Sequence, residues 1–268
     1  MNSISQRELC FILRATPYRE RDQIVVLLTE TRGKVHAIAR NSIQSRRFGG
    51  CLNLFTASEL ELDSRSIKIS EQTDERLVGV QSAQIRQSFE EIPKNFERMA
   101  AASSMNELLL RTIPNHRNAP ELFKLYSNCL ITLNESNSLQ IILGVVNAFV
   151  LKLTQWLGVQ PSVTRCLTCE KNLAEVLGER VFAQVARAGW ICMDCNPETR
   201  SLSLSKNVIF DAYQSILNPI RKVEFSASAE EHLELLAYME QHLLFYVSGL
   251  ERKPISSFHY LKLNQLPL

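Results

Sequence analysis

The run Asp22-Gln-Ile-Val-Val-Leu-Leu-Thr29, a break at Gly33, and then Lys34-Val-His-Ala-Ile-Ala-Arg40 decide how the first third of the chain folds. The first segment is rich in β-branched and aliphatic residues, and the second alternates in polarity, as paired strands do. Gly33 punctuates them as a turn residue. Outward from this pair, Leu9-Cys-Phe-Ile-Leu13 precedes it as another apolar run. After a polar loop come Cys51 to Leu62 and then Ile67-Lys-Ile69, where Leu52, Leu54, Leu60 and Leu62 share one parity, as a half-buried strand requires.

Five short strands in about 80 residues, split by turn signals, predict a small barrel, and the OB-fold is the common barrel of this size. From about residue 85 the apolar period becomes helical. Helices are expected over Asn95–Ile113, Pro120–Asn134, Leu139–Trp156, Ser205–Leu217 and Ala227–Leu250. The third is apolar nearly all round, which marks a central bundle helix, and it stops at Gly158 and Pro161. The expected fold class is therefore α+β and multidomain. An OB-fold β-barrel at 1–82 precedes an all-α helical domain at 83–165 and 201–268, into which a four-cysteine zinc module at 166–200 is inserted.

That module is read from Cys166-Leu-Thr-Cys169 and Cys192-Met-Asp-Cys195, separated by 22 residues. Two C-x₂-C pairs complete a tetrahedral shell for Zn²⁺, and the spacer suits a hairpin or an extended loop. Four thiolates leave no position open for water, so the expected role of zinc is structural. H-E-x-x-H, the phosphate-loop and dinucleotide glycine patterns and G-x-S-x-G are absent, and the five histidines are scattered, so no enzyme is expected. Cys10, Cys51 and Cys129 lie among apolar neighbours and are expected to pack as small hydrophobes, and Phe11 and Phe55 are expected in the core.

The composition, 45% hydrophobic and 22% charged, is ordinary for a globular chain. The start, Met1 to Glu8, has no apolar signal core, and unpaired thiols point to a reducing compartment; the expectation is a cytoplasmic protein with no membrane partner. Net charge is only +2, but residues 1–58 carry nine basic and four acidic side chains. No Asp or Glu occurs from Thr31 to Ser58, a stretch holding Arg32, Lys34, Arg40, Arg46 and Arg47. A polyanion is the partner such a field attracts. In Asn41-Ser-Ile-Gln-Ser-Arg46-Arg47-Phe48-Gly49-Gly50, the arginines can reach phosphates and Phe48 can stack on a base; the competing reading is a solvated turn with Phe48 in the core. Tyr18, Arg19 and Arg21 form a weaker candidate, since Glu20 and Asp22 suggest a salt-bridged turn instead.

Tyr18-Arg-Glu-x-Asp22, Leu28-Thr-Glu-x-x-Gly33-Lys34, Arg46-Arg-Phe-Gly-Gly50 and Glu59-Leu-Glu-Leu62 together resemble the N-terminal half of the bacterial recombination mediator family RecO. Pro120-Glu-Leu-Phe123, Trp156-Leu-Gly-x-x-Pro161 with Arg165-Cys-x-x-Cys169, and Phe182 through Gly189 to Cys192-x-x-Cys195 are similar to later parts of that family. The match is collinear over most of the chain. It departs at Asn41, where relatives often carry glycine, although Asn tolerates a left-handed φ. The resemblance implies binding of single- and double-stranded DNA and annealing of complementary strands. It also implies partnership with RecR and with the acidic C-terminal tail of single-strand-binding protein, and loading of RecA onto coated DNA. The alternative is a zinc-stabilised scaffold or transcription-type adaptor that does not anneal DNA.

Overall fold

The computed structural model describes residues 5–70, 73–196, 202–251 and 253–263. The chain divides into two compact units, Met1–Glu90 with Asn106–Lys124, and Glu91–Met105 with Leu125–Leu268.

The first unit is built on five strands: β1 (Ser5–Tyr18), β2 (Asp22–Thr29), β3 (Gly33–Ala39), β4 (Thr56–Ser70) and β5 (Thr73–Ser88). They close into a barrel in the order β1-β2-β3-β5-β4, with β4 returning to pair with β1. All pairings are antiparallel except β3 with β5, which meet in parallel at Ala37–Val78 and Ile38–Gly79. Alternate residues fill the interior: Cys10 and Ile12, Val25 and Leu27, Val35, Ala37 and Ala39, Leu60 and Leu62, Val78 and Val80. The opposite faces of β1 and β2 are buried as well. Phe11 packs its ring 5.0 Å from Phe123 and 6.4 Å from Phe89. Burial on both faces explains why Ile24 to Leu28 reads as an unbroken apolar run instead of an alternating one.

Five strands were expected and five are present, but two segments differ. Cys51–Phe55 is not strand. Cys51 N–H donates to Phe48 O at 2.8 Å and Asn53 N–H to Gly50 O at 3.1 Å, so the segment turns, with Gly50 at φ 77 and Phe55 at φ 57. Leu52 is in the barrel core and Leu54 is exposed. Ile67–Ile69 is the end of β4, and the last strand is β5, running to Ser88. The sequence hides β5 because Gln81, Ser82, Gln84, Arg86, Gln87 and Ser88 are polar and exposed. Its pairing with β4 supplies what strand propensity does not.

Helices α1 (Phe96–Thr112) and α2 (Pro120–Glu135) each contribute to both units. The second unit continues with α3 (Leu139–Leu157), strands β6 (Arg180–Gln184), β7 (Gly189–Ile191) and β8 (Ser203–Ser205), and helices α4 (Lys206–Leu217), α5 (Ala229–Tyr246) and α6 (Ser256–Leu263). α3 is the central helix its composition predicts, buried from Ile142 to Leu151 and capped by Gly158 at φ 78. It is long and apolar enough to cross a membrane, but most of it is covered by its own unit, as a core helix is. α5 starts at a capping box between Ser228 and Glu231 and ends four residues before Leu250; α6 is an additional helix. The expected boundary at 200 and 201 lies outside the described residues.

His232 and His242 are core residues of α5. His232 lies against the buried Asp211 carboxylate, 3.4 Å away, and His242 Nε2 meets Val159 O at 2.6 Å.

Candidate functional site

Two barrel loops that are distant in sequence meet at one end. The β1–β2 turn, Arg19 to Arg21, is followed by Asp22, whose carboxylate accepts the Asn41 N–H at 2.8 Å. Ile43 N–H donates to Arg21 O at 3.1 Å, and Ser42 Oγ lies 3.0 Å from Gln23 Oε1. Asn41 adopts φ 54, so the asparagine does make the left-handed turn. The result is that Arg19, Arg21 and Arg40 are exposed on adjoining loops. Among the described residues none of the three makes an ion pair; Asp22 is engaged by a backbone N–H. The turn is therefore not the salt-bridged one that Glu20 and Asp22 suggested.

Arg19 is itself left-handed at φ 55, and its guanidinium lies 5.2 Å from the centre of the Tyr18 ring. One face of the half-buried Tyr18 ring is thus occupied by the exposed Arg19. Arg46 and Arg47 are exposed on a 3₁₀ turn whose first N–H bonds are capped by Ser45. Arg47 stacks 5.1 Å from the Phe48 ring centre.

Three residues expected to touch DNA are placed otherwise. Phe48 is 4% exposed and belongs to the barrel core, so stacking on a base is corrected: its ring plugs the barrel. Lys34 is 8% exposed and donates to Leu110 O at 2.7 Å, so it ties β3 to α1 and does not reach out to phosphate. Arg32 is half-buried in the β2–β3 turn, at the opposite end of β3 from Arg40, and β3 itself spans about 20 Å by strand rise. The acid-free stretch is one charge run in sequence and two separate places in space. Gly33 is explained by the same contact. At φ +68 a Cβ there would lie 1.8 Å from Arg117 O, and His116 N–H donates to Lys34 O at 2.9 Å.

In the second unit the four cysteines converge. The sulfurs of Cys166, Cys169, Cys192 and Cys195 all lie within 4.8 Å of one another, with Cys169 and Cys192 at 3.8 Å. A regular tetrahedron of Zn–S bonds near 2.3 Å has sulfurs about 3.8 Å apart, so the set is the right size. Each pair sits on a tight turn. Glu170 N–H donates to Cys166 O at 3.0 Å with Glu170 at φ 61, and Cys195 N–H donates to Cys192 O at 3.2 Å. Leu167 N–H to Trp190 O, 2.9 Å, joins the two turns. Between them β6 and β7 form the hairpin that the spacer suited, turning at Ala188 with φ 52.

The thiols compete with one another. Burial opposes ionisation of Cys166, yet N–H groups of Cys169, Cys192 and Thr168 outweigh it and bring its pKa down to about 6. Cys195 is pushed up to about 12, first by its hydrogen bond with Cys192 and then by burial and the other thiols. Such crowding of anionic donors is relieved by a cation among them, and a soft divalent metal fits four sulfurs. Cys10, Cys51 and Cys129 are buried singly, as expected. Cys10 and Cys129 are held protonated by burial.

The comparisons with known proteins cover both units. The model described as Recombination protein O N terminal matches residues 1–87, and that described as Recombination protein O C terminal matches residues 93–253. The chain belongs to the RecO family. "DNA repair protein RecO" of Anaeromyxobacter sp. (strain K) is 29% identical over 244 residues, covering 87% of this chain and 89% of the relative. The protein of the same name from Symbiobacterium thermophilum is 28% identical over 255 residues, covering 93% and 94%. That from Desulfosudis oleivorans is 25% identical over 252 residues, covering 90% and 94%. Membership in the RecO family gives this chain a general role in recombinational DNA repair, and no catalytic family is indicated.

Proposed function

We propose that the barrel binds DNA through the loops that carry Arg19, Arg21 and Arg40, with Arg46 and Arg47 as further phosphate ligands. One observation supports this reading most: three exposed arginines, free of ion pairs among the described residues, sit on adjoining loops held by Ile43 N–H to Arg21 O and Asn41 N–H to Asp22. The strand order 1-2-3-5-4 supports an OB-fold, whose strand 1–2 loop is a usual strand-binding element. Arginines with no carboxylate partner break no ion pair when they turn to phosphates, and such binding is sequence-tolerant.

Annealing follows without catalysis. A surface that neutralises the phosphates of two strands lowers the repulsion that opposes their pairing. In this reading the protein binds single- and double-stranded DNA, anneals strands, and with RecR aids loading of RecA onto DNA coated by single-strand-binding protein, whose acidic tail it engages. Zn²⁺ is the structural metal, held by Cys166, Cys169, Cys192 and Cys195, and it supplies cross-linking of two turns.

The alternative, a scaffold that only contacts proteins, has one supporting feature: Leu177 and Met193 on the cysteine module are 72% and 52% exposed. Annealing of complementary labelled oligonucleotides by the purified protein separates the two. Acceleration that falls steeply with added salt supports the DNA reading; no acceleration at low salt supports the scaffold.

A further inference from the structure

Phe48 is in the core, and one face of the half-buried Tyr18 ring is taken by Arg19. Two apolar side chains of the β3–β4 connection are exposed, Leu54 and Ile43, and Ile43 is the one tied to the β1–β2 turn. Ile43 is 46% exposed in the otherwise polar segment Asn41-Ser-Ile-Gln-Ser45. Its exposure is fixed by the backbone. Asn41 N–H is bound by Asp22, Ser42 is buried against Gln23, Ile43 N–H is bound by Arg21 O, and Ser45 caps the turn that follows. Its N–H bond to Arg21 O sets Ile43 beside the β1–β2 turn, and in sequence it lies between Arg40 and the exposed pair Arg46 and Arg47, in a stretch with no acidic residue from Thr31 to Ser58. An exposed branched aliphatic group on loops that also carry exposed arginines fits neither an acidic surface alone nor an apolar partner. It fits a polyanion whose units also carry apolar faces.

We infer that Ile43 is the base-contacting residue of the barrel, lying against the faces of unpaired nucleobases while the neighbouring arginines hold their phosphates. This rests on the reading of the barrel as a DNA-binding surface. Bases stacked and paired in a duplex offer no open face to such a side chain, so Ile43 favours single strands over duplex. An aliphatic side chain makes no hydrogen bond to a base edge, so all four bases are accepted.

The test compares two oligonucleotides of equal length, one of mixed sequence and one with abasic sites throughout its central half. Each is titrated by fluorescence anisotropy against the wild-type protein, Ile43→Ser and Ile43→Phe. Ile43 is exposed, so both variants are expected to melt with the wild type. The wild type is expected to prefer the base-bearing strand, and Ile43→Ser to lose about five-fold on that strand alone, as partial loss of one side chain's apolar burial implies. Ile43→Phe is expected to retain or increase the preference, since aromatic stacking is stronger. Equal binding of the two strands by the wild type, or a preference untouched in Ile43→Ser, overturns the assignment of Ile43. A separate variant with Arg19, Arg21 and Arg40 changed to Ala is expected to weaken both strands alike. If that variant binds as the wild type does, the reading of the barrel itself fails, whatever Ile43 does.

Discussion

At the scale of single residues, the most constrained position in the barrel is Gly33. Its left-handed φ and the approach of Arg117 O leave no room for a side chain. Gly33→Ala is expected to destabilise the first unit by about 2 kcal/mol or more, as steric conflict with backbone does, read as a lowered urea midpoint. Phe48 gives the complementary case. Emptying its place in the barrel core by Phe48→Ala is expected to cost about 3–5 kcal/mol, whereas a solvated stacking residue would cost almost nothing. Asp211 carries the clearest pH dependence. Its carboxylate is buried and accepts Ser226 N–H at 2.9 Å, Ala227 N–H at 2.8 Å and Ser226 Oγ–H at 2.8 Å. Burial opposes its ionisation, but the His232 contact and these donors outweigh that and lower its pKa. A lowered folded pKa means the stabilisation is fully present above the unfolded value, about 3.9, and is lost as pH falls through the folded one. Urea midpoints measured between pH 2 and 6 are expected to fall at the acid end, and by less in Asp211→Asn.

At the scale of elements, what could be read from sequence depended on whether local pattern or tertiary pairing decides the structure. β2 and β3 were legible because their side chains are buried, and α3 because it is apolar all round with a glycine stop. β5 was illegible because its outward face is glutamine, serine and arginine, and only pairing to β4 makes it a strand. The cysteine module was legible from spacing alone: two turns, a hairpin between them, and sulfurs at tetrahedral distances. The basic loop was half legible. Its exposed arginines are where charge predicts, but the inward turn of Phe48 is set by the shape of the barrel end. The hydrogen bond from Ile43 to Arg21 spans strands and leaves no local trace. The module makes its own prediction. Cys166→Ser, or removal of metal by a chelator, is expected to lower zinc content and melting temperature while leaving the DNA affinity of the folded fraction unchanged. Complete loss of binding in a folded, metal-free protein would mean the module itself touches DNA.

At the scale of the whole molecule, two units carry two different chemistries: a basic barrel in which the described residues form no metal-ligand cluster, and a helical unit that holds the cysteine cluster. The net charge of +2 conceals this, because residues 1–58 alone carry five positive charges in excess. In the reading proposed above, DNA binding rests on a few exposed arginines on adjoining loops, more than on overall charge. The measurement that tests this most directly is the salt dependence of single-strand affinity for the wild type and for the protein with Arg19, Arg21 and Arg40 replaced by alanine. Each phosphate that is no longer neutralised removes about 0.7 from the slope of log affinity against log salt, so the slope is expected to flatten by about 2 with little change in melting temperature. An unchanged slope and unchanged affinity in a folded variant would contradict the account.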